Sequence, residues 1–397
     1  MIRITDESRC CGCGACAAVC PVSCIEMKPK TLGAVFPYVD TRKCISCGKC
    51  DMVCPMQSTQ LLRQTDYEQQ VYAAYAENKD IRFLGSSGGV FGVLAKCLLS
   101  KGYKVYGAAF DSNMQLQCMP AEDESALAPL MKSKYLQSDL TRQFDQIKKD
   151  LEHEKKVLFV STPCQVGALK NYLGKDYEGL ISVDFLCHGV PSQAFFDQCI
   201  AYEDRQHKCK TLQYSFRSKI TRGATPHYFT VKVEKKGRIK TVTKPYYKSV
   251  FYAFFQQYIT LRESCYDCIF AEQNRVSDMT IGDFHTIEKY EPSVNRFEGI
   301  STVVINSPKG RQLFEDAKSK LWHKEFSLNK LMEDGVLFSE KTKRPDRRDV
   351  FVESYCKSDF DTFVKQNLPR KKYLIFGIYY ALPSCVRRII KKICRIE

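Results

Sequence analysis

The chain has 397 residues, enough for two or three domains with separate cores. An apolar share of 44% with 12% aromatics argues against extended disorder, and the opening MIRITDESRC lacks a basic–apolar–small leader pattern. The 21 cysteines therefore read as thiols of a reducing cytoplasm, free or metal-bound, not as disulfides.

The formal charge of +15 would suit nucleic acid, but no recognised nucleic-acid motif accompanies it and that partner is not expected. The charge is uneven. Residues 370–397 hold eight Lys/Arg against one Glu, and residues 341–349 hold five basic groups against two acidic ones.

In chain order, the first feature is a repeated cysteine run. It reads Cys10-x-x-Cys13-x-x-Cys16-x-x-x-Cys20-Pro21, then Cys44-x-x-Cys47-x-x-Cys50-x-x-x-Cys54-Pro55. This is the run of bacterial ferredoxins, in which the fourth Cys of each copy ligates the cluster of the other. It predicts one 4Fe–4S cluster on Cys10, Cys13, Cys16 and Cys54 and a second on Cys44, Cys47, Cys50 and Cys20. Zinc sites prefer four ligands in pairs over three-plus-one twice. Cys11 and Cys24 flank ligands and read as bystanders. Residues 1–60 are thus a dicluster ferredoxin-like domain, and the polar segment 57–70 a linker.

From Val71 short apolar runs alternate with helical stretches, the pattern of an α/β body. Residues 71–76 and 103–110 read as strands. Between them Gly85-Ser86-Ser87-Gly88-Gly89 opens an apolar helix to about Ser100. Runs at 157–161, 181–186, 279–284 and 301–306 have strand length. Beyond Pro345 the chain reads as charged and irregular, ending in a basic, partly apolar tail (346–397).

Small residues before a helix let backbone N–H groups approach an anion, such as a nucleotide phosphate. The loop matches neither G-x-G-x-x-G nor the Walker pattern, and an ordinary capped turn is the simpler alternative. Cys164 and Cys187 each follow a predicted strand, where open α/β sheets bind ligands. With the pair Cys265-Tyr266-Asp267-Cys268 they could form one four-cysteine site. The competing reading makes Cys164 and Cys187 small buried apolar residues. Asp278 and Asp283 stand at odd spacing on one strand, so they face opposite sides and make no carboxylate pair. No catalytic residue is legible.

Several blocks, in order, resemble the beta subunit family of coenzyme F420 hydrogenases and dehydrogenases, which includes 7-hydroxymethyl chlorophyll a reductase. They are Ser86-Ser87-Gly88-Gly89-Val90, Lys132-Ser133-Lys134-Tyr135, Thr162-Pro163-Cys164-Gln165 and Cys187-His188-Gly189-Val190-Pro191. Phe216-Arg217-Ser218-Lys219, Cys265-Tyr266-Asp267-Cys268 and Ser277-Asp278-Met279-Thr280-Ile281-Gly282-Asp283-Phe284 follow.

The resemblance covers about 70–345, divided at 150/151. It implies an FAD beside a 4Fe–4S cluster, with Ser86, Ser87, Gly88 and Gly89 on the flavin's phosphate side. It also makes Cys164, Cys187, Cys265 and Cys268 the ligands of a third cluster. His188 would tune that centre or simply cap a turn. Lys132 and Lys134 would meet an anionic cofactor or form a solvated face.

The expected fold is a small dicluster ferredoxin-like domain followed by a mixed α/β flavin and iron–sulfur body. The expected function is an oxidoreductase relaying electrons between ferredoxin-type clusters and a flavin. That flavin would exchange hydride with an organic substrate or a deazaflavin-like coenzyme, and a redox protein is the other expected partner. The alternative is a non-catalytic wiring subunit of a larger redox complex. Residues 373–382 are too short to span a bilayer, which takes roughly 20 residues. The tail could lie on the inner membrane face, dock a partner, or be solvated.

Overall fold

The computed structural model describes residues 1–57, 67–220, 228–333 and 341–369, with Ile375, Ile378 and Tyr379. Most of the expected linker and nearly all of the basic tail lie outside the described residues.

The N-terminal module pairs β1 (Ile25–Pro29) with β2 (Val35–Val39) in antiparallel fashion. Each cysteine run turns into one short helix, Ala15–Ala18 or Lys49–Met52. Both helices begin after a glycine at positive φ, Gly14 at 81° and Gly48 at 74°. Only glycine takes that bend without steric cost, and it folds the run back on itself.

Eleven further strands follow: β3 (Gln70–Ala76), β4 (Tyr103–Phe110), β5 (Leu116–Ala121), β6 (Lys156–Val160), β7 (Leu180–Phe185), β8 (Lys210–Ser218), β9 (Tyr228–Lys235), β10 (Arg238–Pro245), β11 (Met279–Asp283), β12 (Ser301–Ile305) and β13 (Leu321–Phe326). Eight of them form one sheet in the order β13-β3-β12-β11-β7-β6-β4-β5. Its centre, β4-β6-β7-β11, is parallel. The flanking pairs are antiparallel.

Every strand expected from an apolar run is present within about one residue of its place. β10 gave no such signal because its side chains alternate among exposed and half-buried positions. In β13 only Leu321 is buried.

Successive residues of β6 serve opposite faces. Val157 and Phe159 join the cluster containing Phe144, Ile147 and Leu169, while Leu158 and Val160 join that of Val90, Leu94 and Leu313. Helices cover both faces, as a parallel sheet requires. The first cluster also takes in Cys11, Cys13, Cys16 and Cys54. The N-terminal module therefore shares a core with the helix-covered face of the body.

β8, β9 and β10 form a separate three-stranded sheet, whose Tyr214 and Phe216 pack among Phe195, Phe196 and Phe251. Helices Arg348–Lys357 and Phe360–Asn367 occupy the stretch that reads as irregular. Phe351 and Phe363 lie 5.3 and 5.6 Å from the Phe254 ring. Their aromatic anchors were masked by the surrounding charge.

Candidate iron–sulfur and cofactor centre

A pocket in the N-terminal module is lined by Cys20, Cys44, Cys47 and Cys50. Cys20 belongs to the first run and the other three to the second, the exchange that the ferredoxin pattern demands. Conversely, Cys54 of the second run sits with the first. Burial, then the neighbouring Cys10 and Cys54, push the Cys16 thiol up to about 12. The Ile2 N–H donates to Cys50 Sγ at 3.2 Å.

Cys24 also lines the pocket, with its Sγ 3.4 Å from Cys20 Sγ and its N–H donating to that sulfur at 3.4 Å. It is in contact with a candidate ligand, not merely beside one in sequence. Among the described residues no three His, Cys, Asp or Glu close around a single ion. In a cubane each thiolate takes its own iron, so such convergence is not required.

The body gathers its own four cysteines at the carboxyl edge of the parallel strands. β6 ends at Val160, and Pro163 starts the helix that carries Cys164 in its first turn. Proline suits that position, where the missing N–H has no helical acceptor to lose. β7 ends at Phe185, two residues before Cys187. Cys265 lies on the short helix Glu263–Tyr266, tied back by the Arg262 N–H donating to Val190 O at 3.1 Å. Gly189 passes so close that a Cβ there would fall 2.8 Å from Cys265 Cβ.

The loop bearing Cys268 is pinned by Arg275, which pairs with buried Asp184 at 3.0 Å and donates to Phe185 O at 3.0 Å. The four thiols sense one another: burial, then Cys265, Cys164 and Cys268, push Cys187 well above the usual thiol range. Cys265 is pushed up to about 12 by burial, with Cys164 and Cys268 adding to it. The structure thus brings together Cys164, Cys187, Cys265 and Cys268, separated by up to a hundred residues.

Cys11 also reaches this set. Its side chain is within hydrogen-bonding reach of both Cys13 and Cys164. Nothing in its spacing pointed there; only docking of the module against the body reveals it.

The serine–glycine loop lies beside the start of helix Val90–Leu99. Ser87 Oγ donates to Ile300 O at 2.6 Å, the Gly88 N–H donates to Ser301 Oγ at 3.0 Å, and Ser86 Oγ accepts from the Ser133 N–H at 2.7 Å. A Cβ on Gly88 would meet Ala74 O at 2.5 Å, so the glycine is needed for packing. The loop's hydroxyls are thereby committed to protein partners. What remains for an anion is the first helical turn, whose N–H groups have no intrahelical acceptor.

Cations surround this loop. Lys219 Nζ donates to the carbonyls of Arg82, Ser87 and Glu298 at 2.6, 2.8 and 3.0 Å. Burial, then Arg82 and Arg217, bring it down to about 7. Lys134 Nζ donates to Pro129 O and Met131 O at 2.7 Å each, and burial with the adjacent Lys132 brings it to about 7. Lys134 is therefore held inside the fold, not on a solvated face.

Arg217 pairs with Asp283 at 2.6 Å, and Asp283 is also within reach of Ser87 and His285. Asp278 is occupied elsewhere, accepting from the Ser182 N–H and Oγ and from Ser307 Oγ at 2.8, 2.6 and 2.7 Å. His188 is held below the usual imidazole range, first by burial and then by His285. His188, Asp283 and Arg217 thus link the cysteine set to the lysine-lined loop along one sheet edge.

An iron–sulfur module docked on an α/β body defines an electron-transfer protein of the oxidoreductase class. More particularly, residues 9–58 match a family model described as a 4Fe-4S dicluster domain. Residues 154–329 belong to the family described as the C terminus of the coenzyme F420 hydrogenase/dehydrogenase beta subunit. No curated protein matches the chain. Among solved structures, the xenon-derivatized F420-reducing NiFe hydrogenase complex from Methanosarcina barkeri includes a chain matched at 17% identity and a TM-score of 0.45, over 76% of this chain and 96% of that one.

Proposed function

We propose that the chain is an iron–sulfur flavoprotein oxidoreductase with three 4Fe–4S centres and one FAD. Two centres would be held by Cys10, Cys13, Cys16 and Cys54 and by Cys44, Cys47, Cys50 and Cys20. The third would be held by Cys164, Cys187, Cys265 and Cys268. When bound, the clusters supply one-electron carriage and the flavin two-electron carriage.

The observation that carries this reading is the sheet edge. Four buried thiols stand there beside Lys132, Lys134 and Lys219, none with a carboxylate ion pair among the described residues. Buried cations without a counter-charge favour an anionic guest, and the pyrophosphate of FAD has that chemistry. Lys219 holds the Ser87 carbonyl in place, and the first helical turn after Gly89 offers its N–H groups to the same anion. Arg275 and Asp184 keep the Cys268 loop on β7. Reducing equivalents would pass to or from a redox partner protein or a small hydride carrier, a deazaflavin included.

Anaerobic reconstitution of the full chain tests this. About twelve irons per chain, FAD released on denaturation, and reduction of a soluble acceptor by the dithionite-reduced protein are expected. About eight irons would remove the third cluster. Full iron without flavin would leave a wiring subunit. Among the described residues no helix is long and apolar enough to cross a membrane.

A further inference from the structure

Arg262 precedes the helix that carries Cys265, yet its guanidinium extends into the N-terminal module. It is only 3% exposed. Nη2 donates to Val35 O at 2.9 Å and Cys10 O at 3.1 Å, and stands 4.0 Å from Cys10 Sγ. Nη1 donates to Gln137 Oε1 at 3.0 Å. The Gln137 amide in turn donates to Cys11 O and Gly12 O at 2.7 and 2.9 Å. The guanidinium lies 4.7 Å from the Phe36 ring centroid. Gly12, at a φ of +64°, leaves it room, since a Cβ there would lie 2.5 Å from Nη1.

No hydrogen-bond partner of Arg262 among these is a carboxylate, and Nε has none among the described residues. A buried charge left so is costly unless a negative group faces it. The groups that face it are thiols of both constellations: Cys10 on one side, Cys164 and Cys265 on the other. Cys11, between Cys13 and Cys164, completes the contact.

We propose that Arg262 is an electrostatic bridge between the two cysteine constellations, holding the Cys10 loop on the body and favouring the reduced state of the centre on Cys10, Cys13, Cys16 and Cys54. The inference rests on the cluster assignment above. Reduction there adds one electron, supplied externally, with no bond or proton change at Arg262. The cation stabilises the added negative charge, so its removal lowers that centre's midpoint.

The test is an EPR-monitored dithionite titration of the full chain and of R262Q and R262K, with iron counted on each sample. R262Q is expected to shift that centre's reduction equilibrium about tenfold toward the oxidised state, about 59 mV for a one-electron couple. The centre on Cys20, Cys44, Cys47 and Cys50 serves as an unmoved internal reference. R262K, which keeps the charge, should shift far less.

An unmoved midpoint in iron-replete R262Q overturns the proposal, as does an equal fall in both variants. Should R262Q fail to hold iron, Gln137→Glu sets a carboxylate against the intact guanidinium. The same fall is expected there, and an unchanged midpoint overturns the proposal. Wild-type protein with fewer than about eight irons would instead unseat the cluster assignment itself.

Discussion

The N-terminal module and the carboxyl edge of the body sheet both collect cysteines, but by different routes. In the module, spacing within each run and a left-handed glycine do most of the positioning, and only the exchange of Cys20 and Cys54 is long-range. In the body, Cys164 and Cys187 come from two strand ends. Cys265 and Cys268 come from a segment held in place by Arg262, Arg275 and Asp184. A local site should survive damage to the scaffold; a site assembled by the scaffold should not.

The largest expected effect sharpens that contrast. Cys164→Ser should remove about four irons per chain and leave about eight on the N-terminal module, read by iron analysis and EPR. A proportional loss from both regions would show that they assemble as one unit.

Arg275→Met comes next. Removing one partner of a buried ion pair typically costs 3–5 kcal/mol, here at a contact with side chains 2% and 0% exposed. The stability loss should appear in denaturant unfolding, together with loss of the body's iron but not the module's.

Lys219→Met is expected to weaken FAD binding by about tenfold or more. A hydrogen bond to a charged group contributes about 1.5–3 kcal/mol. Flavin fluorescence titration of the iron-replete protein measures this, and unchanged affinity would place the flavin elsewhere.

The smallest effect is on pH dependence. Lys219 moves from an ordinary 10.5 to about 7 in the fold. Below about pH 7 both folded and unfolded chains carry the proton and the fold bears the full cost of burying it. Between there and 10.5 the unfolded chain binds more protons, so stability rises with pH. Flavin-free wild-type protein should therefore gain thermal stability from pH 7 to 9 relative to Lys219→Met, by differential scanning calorimetry.

The sequence by itself determined the dicluster module, the α/β class and each strand of the parallel core. Those signals are local: cysteine spacing, and apolar runs long enough for a strand buried on both faces. It also singled out the body cysteines, but left open whether they meet. Only the tertiary structure decided that, because the pairing of β6, β7 and β11 sets which strand ends are neighbours. The charge-rich helices after Pro345 and the exposed strand β10 stayed hidden for the opposite reason. Their stabilising contacts lie in partner elements, Phe254 and the neighbouring β9, and not in any periodicity of their own. Cys11 and Arg262 show the same limit most plainly. Each reads as unremarkable in its own segment and acquires a role only where two regions of the chain are pressed together.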